Sequence, residues 1–111
     1  MTFFPQRDSL PTRDLFPGVR ARLVWGERLM LSVVEMEAGT TVPSHSHPNE
    51  QAGVVLEGEF VFEIGGERRR LRRGDLYFIP SHVPHGVVEV PVRAVALDVF
   101  SPPREEYKAQ G

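Results

Sequence analysis

Between residues 19 and 100 the sequence is divided into short apolar runs, and turn residues, mostly glycine and proline, separate them. Such regularly spaced short runs are typical of the strands of an antiparallel sandwich or barrel. No stretch has the periodicity of a persuasive amphipathic helix. We therefore predict an all-β chain whose strands are VRARLVW, RLMLSVVEME, QAGVVLE, EFVFEI, RRRLR, DLYFIP, HGVVEV and VRAVALDVF.

The length of 111 residues is enough for one domain with one modest core. Residues 1–18 contain prolines and show no clean periodicity, so we interpret them as an extended N-terminal arm. Residues 19–103 are predicted to form the β body, and residues 104–111 a tail or a single helical turn. The arm carries apolar side chains that could dock on the body or on a partner, namely Phe3, Phe4, Leu10, Leu15 and Phe16.

The composition excludes several classes of function. The chain has no cysteine, so disulfides, thiolate metal sites and thiol nucleophiles are ruled out. Its formal net charge of −2 gives no global reason to expect nucleic acid or an anionic membrane as a partner. No run approaches the roughly 20 apolar residues of a membrane span, and the first residues lack the long apolar stretch typical of a secretory signal. We expect a soluble, cytoplasmic protein.

The segment ERRRLRR, residues 67–73, is strongly basic and could in principle attract phosphates. No aromatic residue interleaves with the arginines, however, and the net charge of the chain is slightly negative. We predict a solvated strand, ion-paired across a sheet or an interface, and no nucleic-acid partner.

The four histidines fall into two tight groups, His45 with His47 and His82 with His85. Prolines on either side of the first pair disfavour a helix there. In an extended segment, side chains two residues apart point the same way, so His45 and His47 share a face. Surface histidines, or a core histidine bonded to backbone, are the simpler alternatives. Two pairs beside Glu50 and Gln51 favour a site for a divalent metal ion.

Two segments resemble the motifs of the cupins. The first cupin motif has glycine, His-x-His, glutamate and glycine at fixed spacing, and it corresponds to Gly39 through Gly58. The second corresponds to Gly74 through His85, with Glu89 in place of an asparagine. The resemblance implies a jelly-roll (double-stranded β-helix) barrel with one internal metal ion, held by His45, His47, the residue at position 51, and His85.

The sequence departs from the cupin motifs at two positions. His82 replaces a glycine, so we interpret it as a residue of the site's rim that contacts substrate, and not as a metal ligand. Gln51 stands where glutamate is usual, with Glu50 beside it. Alternation does not decide between them, because a strand phased on Glu50 has the more apolar face. The motif spacing to Gly58 selects Gln51. Three imidazoles and a neutral amide would leave a divalent ion its full charge, which strengthens it as a Lewis acid and weakens its binding.

A further resemblance, to the KdgF-type cupins of pectin and alginate breakdown, rests on HSHPNEQ, EIGGE, GDLYFIP, VPHG and ALDVFSPPREEY. It implies a metal-dependent enzyme that opens 4,5-unsaturated uronate monosaccharides to linear keto acids. Asp98 interrupts an apolar strand and is the candidate acid/base; the alternative is a structural aspartate paired with arginine or facing solvent. Arg104 is the candidate carboxylate clamp, or a solvated tail arginine. Phe100 could wall the substrate pocket or belong to the core.

Two other functions remain open at this point. One is a cupin dioxygenase of the quercetinase type, and the other is a non-enzymatic module that binds a metal or a sugar acid. The ligands would accept Ni, Zn, Mn, Fe or Cu. The apolar arm and the two-sheet fold suggest a homodimer, with a small carboxylated sugar as the other partner.

Overall fold

The computed structural model describes residues 2–108, and strands dominate that range. No helix in it is long and apolar enough to cross a membrane. A short 3-10 helix spans Arg7–Ser9, and a single α-helical turn, α1, spans Glu105–Lys108. The strands are β1 (Thr12–Phe16), β2 (Val19–Trp25), β3 (Met30–Met36), β4 (Val42–His45), β5 (Glu50–Glu57), β6 (Glu59–Ile64), β7 (Glu67–Arg72), β8 (Leu76–Ile79), β9 (His85–Glu89) and β10 (Ala94–Ser101).

The strands form two antiparallel sheets. The six-stranded sheet has the order β1-β2-β3-β10-β5-β8, and the four-stranded sheet has the order β4-β9-β6-β7. Neighbours in space are often distant in sequence, as in a jelly roll, where the chain crosses repeatedly between the sheets. The all-β jelly-roll prediction is confirmed.

The core lies between the two sheets, and strict alternation builds it. In β2, Val19, Ala21 and Leu23 are buried while Arg20 is exposed, because successive side chains point to opposite faces. In β10, Ala96, Asp98 and Phe100 point inward by the same rule. An inward position on β10 therefore faces the space between the two sheets.

Part of the segment interpreted as an arm belongs to the six-stranded sheet. Residues 12–16 are extended, as predicted, and they pair with β2 as strand β1. Leu15 packs against the core, while Phe3 and Phe4 are largely exposed. Alternation in β1 is masked in the sequence because its inward positions include Arg13.

The basic strand β7 forms a hairpin with β6. The two turn residues, Gly65 and Gly66, both have positive φ, as a tight two-residue hairpin turn requires. Four arginines of β7 make ion pairs with glutamates of the same sheet. Each of these exposed pairs adds little stability. The glutamates nevertheless neutralise the arginine charges that suggested phosphate binding.

Gly58 joins β5 to β6 and should be the glycine least tolerant of a side chain. It has φ +71°, and a Cβ there would overlap the carbonyl oxygen of Arg93. We expect Gly58→Ala to lower the free energy of unfolding by about 2–4 kcal/mol, measured by urea denaturation. Gly66→Ala is the matched control, because Gly66 has φ +84° but open space around it, and it should cost only about 1 kcal/mol. Equal losses for the two variants would contradict this account.

Candidate metal centre

Strands β4 and β9 bring three histidines together at the inner face of the smaller sheet. His45 and His85 are direct partners in the register of these strands, and His47 follows β4. One ring nitrogen of each histidine lies within 4.8 Å of the others. The three histidines are therefore positioned to hold one metal ion.

Backbone carbonyls determine which nitrogen of each ring faces the centre. The Nδ1 atoms of His45, His47 and His85 lie 2.9, 3.1 and 2.9 Å from the carbonyl oxygens of residues 43, 49 and 83. A carbonyl oxygen only accepts, so each Nδ1 carries the hydrogen and each Nε2 keeps a lone pair. The Nε2 of His85 is buried with no hydrogen-bond partner. A bound cation would satisfy it, so these residues fit a metal ion.

Burial keeps two of the imidazoles neutral. It lowers the pKa of His85 to about 4, and it lowers the pKa of His47 with a further contribution from the charge of Arg104. Removing an imidazolium from water is costly, which is why its pKa falls. Since only the neutral ring can coordinate, the site is prepared for a metal at neutral pH.

Gln51 faces the histidines and Glu50 does not. Gln51 is buried on the inner face of β5, and its Oε1 lies 3.2 Å from Nε2 of His47. Glu50 is exposed on the opposite face. Because His47 already donates through Nδ1, its Nε2 has no hydrogen for the Gln51 oxygen. Two acceptors directed at each other fit a cation between them.

Asp98 is buried among hydrogen-bond donors. The Tyr77 hydroxyl donates to its Oδ1, and the side chain of Gln51 also bonds to it. Burial raises the pKa of Asp98 to about 6, against the opposing effects of these bonds and of the Arg104 charge. The aspartate is thus neither solvated nor ion-paired in the way that a purely structural role would suggest.

Arg104 is buried, although it follows the last strand. Its Nη1 donates to the Tyr107 hydroxyl at 2.8 Å and its Nη2 pairs with Glu106 at 3.0 Å. Its guanidinium lies 4.3 Å from the Tyr107 ring centroid and 5.5 Å from that of Phe100. Its Nε is buried without a hydrogen-bond partner. These contacts hold the guanidinium in one orientation with an unused donor.

A cavity between the sheets joins these groups. It has a volume of about 70 Å³, several times what one water needs on the same measure. Ser32 also lines this cavity, and its buried Oγ lacks a hydrogen-bond partner. The polar side chains that line it are Ser32, His45, Gln51, Tyr77, His85, Asp98, Arg104 and Tyr107.

Residues 32–100 match the cupin domain family. This chain is a cupin. It is 32% identical over 102 residues to the pectin degradation protein KdgF of Dickeya dadantii, covering 90% of this chain and 93% of that protein. The structure of KdgF from Halomonas sp. is similar, with a TM-score of 0.87 and 30% identity, over 96% of this chain and 99% of that one. H2HPP isomerase of Bacillus subtilis is 31% identical over 97 residues, or 84% of this cupin and 40% of that protein.

The structure brings together all but one of the side chains that the sequence singled out. His82 is exposed and does not line the cavity, so its predicted contact with substrate stays a prediction for the rim. Its φ of 67° explains why the motif has glycine there. Phe100 contacts both the core and the site, since its ring lies 5.7 Å from that of His47.

Sequence reasoning missed three residues of the site. Tyr77 bonds to Asp98, Tyr107 bonds to Arg104, and Asn49 donates to the carbonyl oxygen of Pro102 at 2.6 Å. The last bond ties the histidine segment to the loop that carries Arg104. Only Asn49 had a local signal, its place between the histidines and Gln51.

Metal binding should stabilise this cupin through the histidine cluster. At a free divalent ion concentration 100-fold above Kd, we expect the free energy of unfolding to rise by about 2.7 kcal/mol. His47→Ala should remove this gain, and His82→Ala should retain it, because His82 lies outside the cluster. Thermal unfolding with Zn²⁺ or Ni²⁺, against a chelator-treated sample, measures the difference. Undiminished stabilisation of His47→Ala would refute the assignment.

Proposed function

We propose that this cupin is a metal-dependent enzyme that opens the ring of 4,5-unsaturated uronate monosaccharides, giving linear keto acids. The observation that carries the proposal is the meeting of Asp98, Arg104 and the histidine cluster at one cavity. The resemblance to KdgF-type cupins, in both sequence and structure, supplies the substrate class.

The reaction is an isomerisation and needs no co-reactant. The hydroxyl on carbon 1 loses its proton and becomes a carbonyl, while the bond from carbon 1 to the ring oxygen breaks. The electron pair moves to that oxygen, which becomes the enolate oxygen on carbon 5. Carbon 4 then gains a proton, and carbon 5 becomes a ketone. A divalent ion held by the histidines and Gln51 would supply positive charge to the oxygen on which negative charge builds.

Asp98 is suited to move the proton. A carboxyl whose pKa is about 6 is partly ionised near neutral pH, so it can accept the hydroxyl proton and return it to carbon 4. The hydroxyl of Tyr77 holds one carboxyl oxygen, and this fixes the direction in which the carboxyl faces the cavity. One residue then serves both steps.

Arg104 is suited to bind the uronate carboxylate. Its guanidinium is held by Tyr107 and Glu106, and its Nε remains available as a donor. A planar guanidinium that is already oriented loses little entropy when it binds a carboxylate. Phe100, beside it, would form an apolar wall against the sugar ring.

Asp98→Asn should slow ring opening strongly while leaving the fold intact. The amide cannot accept the hydroxyl proton, so we expect kcat to fall by about 10²–10⁴-fold. The decay of the conjugated double-bond absorbance of an unsaturated uronate, with metal-loaded protein, measures the rate. Glu50→Gln is the matched control that should keep most activity, since this carboxylate is exposed on the opposite face of β5. Wild-type decay no faster than without protein would refute the proposal.

The same samples separate the other functions. A dioxygenase would consume oxygen with a flavonol-like or diketone substrate, and a binding module would show ligand affinity without turnover. A cytoplasmic location and the absence of nucleic-acid or membrane partners also remain predictions.

We further propose that two copies of this cupin pair through the outer face of the six-stranded sheet. Since Asp98 and Phe100 point inward, Leu97 and Val99 of β10 point outward, and neighbouring strands continue the same two rows. Phe78 and Leu76 in these rows are 57% and 76% exposed, and neighbouring exposed apolar side chains of this size are unusual on the surface of a monomeric protein. The band consists of Leu31, Val33, Ala52, Val54, Leu76, Phe78, Leu97 and Val99.

Charges at one end of this band suit a second copy. Arg93 lies within 3.7 Å of Glu35 and 3.9 Å of Glu57, so the border carries both signs. A border of mixed sign allows opposite charges to meet under a two-fold axis, where one patch faces its own copy.

Phe78→Glu should therefore weaken the dimer. A charge within an apolar interface raises the dimer dissociation constant about ten-fold or more, which light scattering at micromolar concentration would detect. Val61→Glu is the control, because Val61 lies on the outer face of the four-stranded sheet and outside the band. A wild-type monomer, or equal effects of both variants, would contradict the proposed interface.

A further inference from the structure

The side-chain amide of Gln51 has two neighbours, both of which are acceptors. Its Oε1 lies 3.2 Å from the lone-pair nitrogen of His47, and its other end bonds to Asp98. Because the oxygen faces the metal centre, the NH2 group is the end that can donate to Asp98. If the amide were reversed, its oxygen would meet the Asp98 carboxylate, and its NH2 group, which cannot coordinate a metal ion, would face the histidines.

Asp98 has little freedom to turn away from Gln51. It lies between Ser32 of β3 and Gly53 of β5 in the sheet register, and it accepts from the Tyr77 hydroxyl. The Tyr77 ring occupies the space above Gly53, where a Cβ would overlap it. The Tyr77 hydroxyl therefore fixes the carboxyl from one side, and Gln51 lies on the same inner face, on β5.

We propose that glutamine stands at position 51 because Asp98 requires an amide donor there, so that the two residues act as one pair linking the metal ligands to the acid/base. This inference rests on the metal site of the proposed function, but not on its substrate. The motif of the cupins has glutamate at this position, and the pair explains the departure.

Glutamate at position 51 would bring two carboxylates together in a buried place. The donor to Asp98 would be lost, and like charges would be adjacent where water cannot screen them. Exchanging the two groups should restore the bond, because an asparagine at position 98 can donate to a glutamate at position 51. The exchanged pair would also place an anionic oxygen toward the metal.

A double-mutant cycle tests the pairing. The variants are Gln51→Glu, Asp98→Asn and the double variant, each studied as metal-free protein by urea denaturation and with Zn²⁺ by calorimetry. We expect Gln51→Glu to raise the unfolding equilibrium constant about ten-fold, and the double variant to recover most of this loss. The double variant should also bind Zn²⁺ about ten-fold more tightly than wild type, because its ligand is anionic.

Every outcome of the cycle bears on the inference. Recovery in the double variant supports the pair, even if Gln51→Glu alone fails to fold. Three outcomes would overturn it. The effects of the two single variants on the unfolding equilibrium constant could simply multiply in the double variant, Gln51→Glu could be as stable as wild type, or the double variant could fail to fold.

The readouts do not involve the uronate. If the cycle shows coupling between positions 51 and 98 but the protein has no ring-opening activity, the proposed function is wrong and this inference still holds. An active wild-type enzyme with independent effects at positions 51 and 98 would do the reverse.

Discussion

Three backbone carbonyls determine what the interior of this cupin can bind. By accepting from Nδ1 of His45, His47 and His85, they turn three lone pairs toward one point. Without these bonds each ring could exchange its tautomer and satisfy itself with water. The arrangement leaves the buried Nε2 of His85 without a hydrogen-bond partner. A bound cation would satisfy the lone pair of this nitrogen.

Strand β10 places the candidate acid/base in the same cavity as the histidines. It lies between β3 and β5 in the larger sheet, and its inward positions carry Asp98 and Phe100. The chain that follows it turns back through Pro102 and Pro103 and delivers Arg104 to the same cavity, where Asn49 anchors the turn. The smaller sheet thus supplies most of the ligands, and the larger sheet supplies the groups that would handle protons and carboxylate.

The sequence predicts the strands well, because turn glycines separate them and because alternation is clear in β2 and β10. It predicts β1 poorly, since Arg13 occupies an inward position. Alternation could not choose between Glu50 and Gln51, because the outer face of β5 is itself apolar and belongs to an exposed hydrophobic band. Tyr77 could not be found, because its bond to Asp98 joins residues 21 apart that only the sheet order makes neighbours.

The C-terminal turn is a wall of the cavity more than a tail. Tyr107 lines the cavity and packs its ring at 5.9 Å from that of Phe100. A substitution in this turn therefore changes the size and polarity of the cavity directly, although the turn lies beyond the last strand. Variation of this turn alone is thus a route by which cupins with the same strands would accept ligands of different shape.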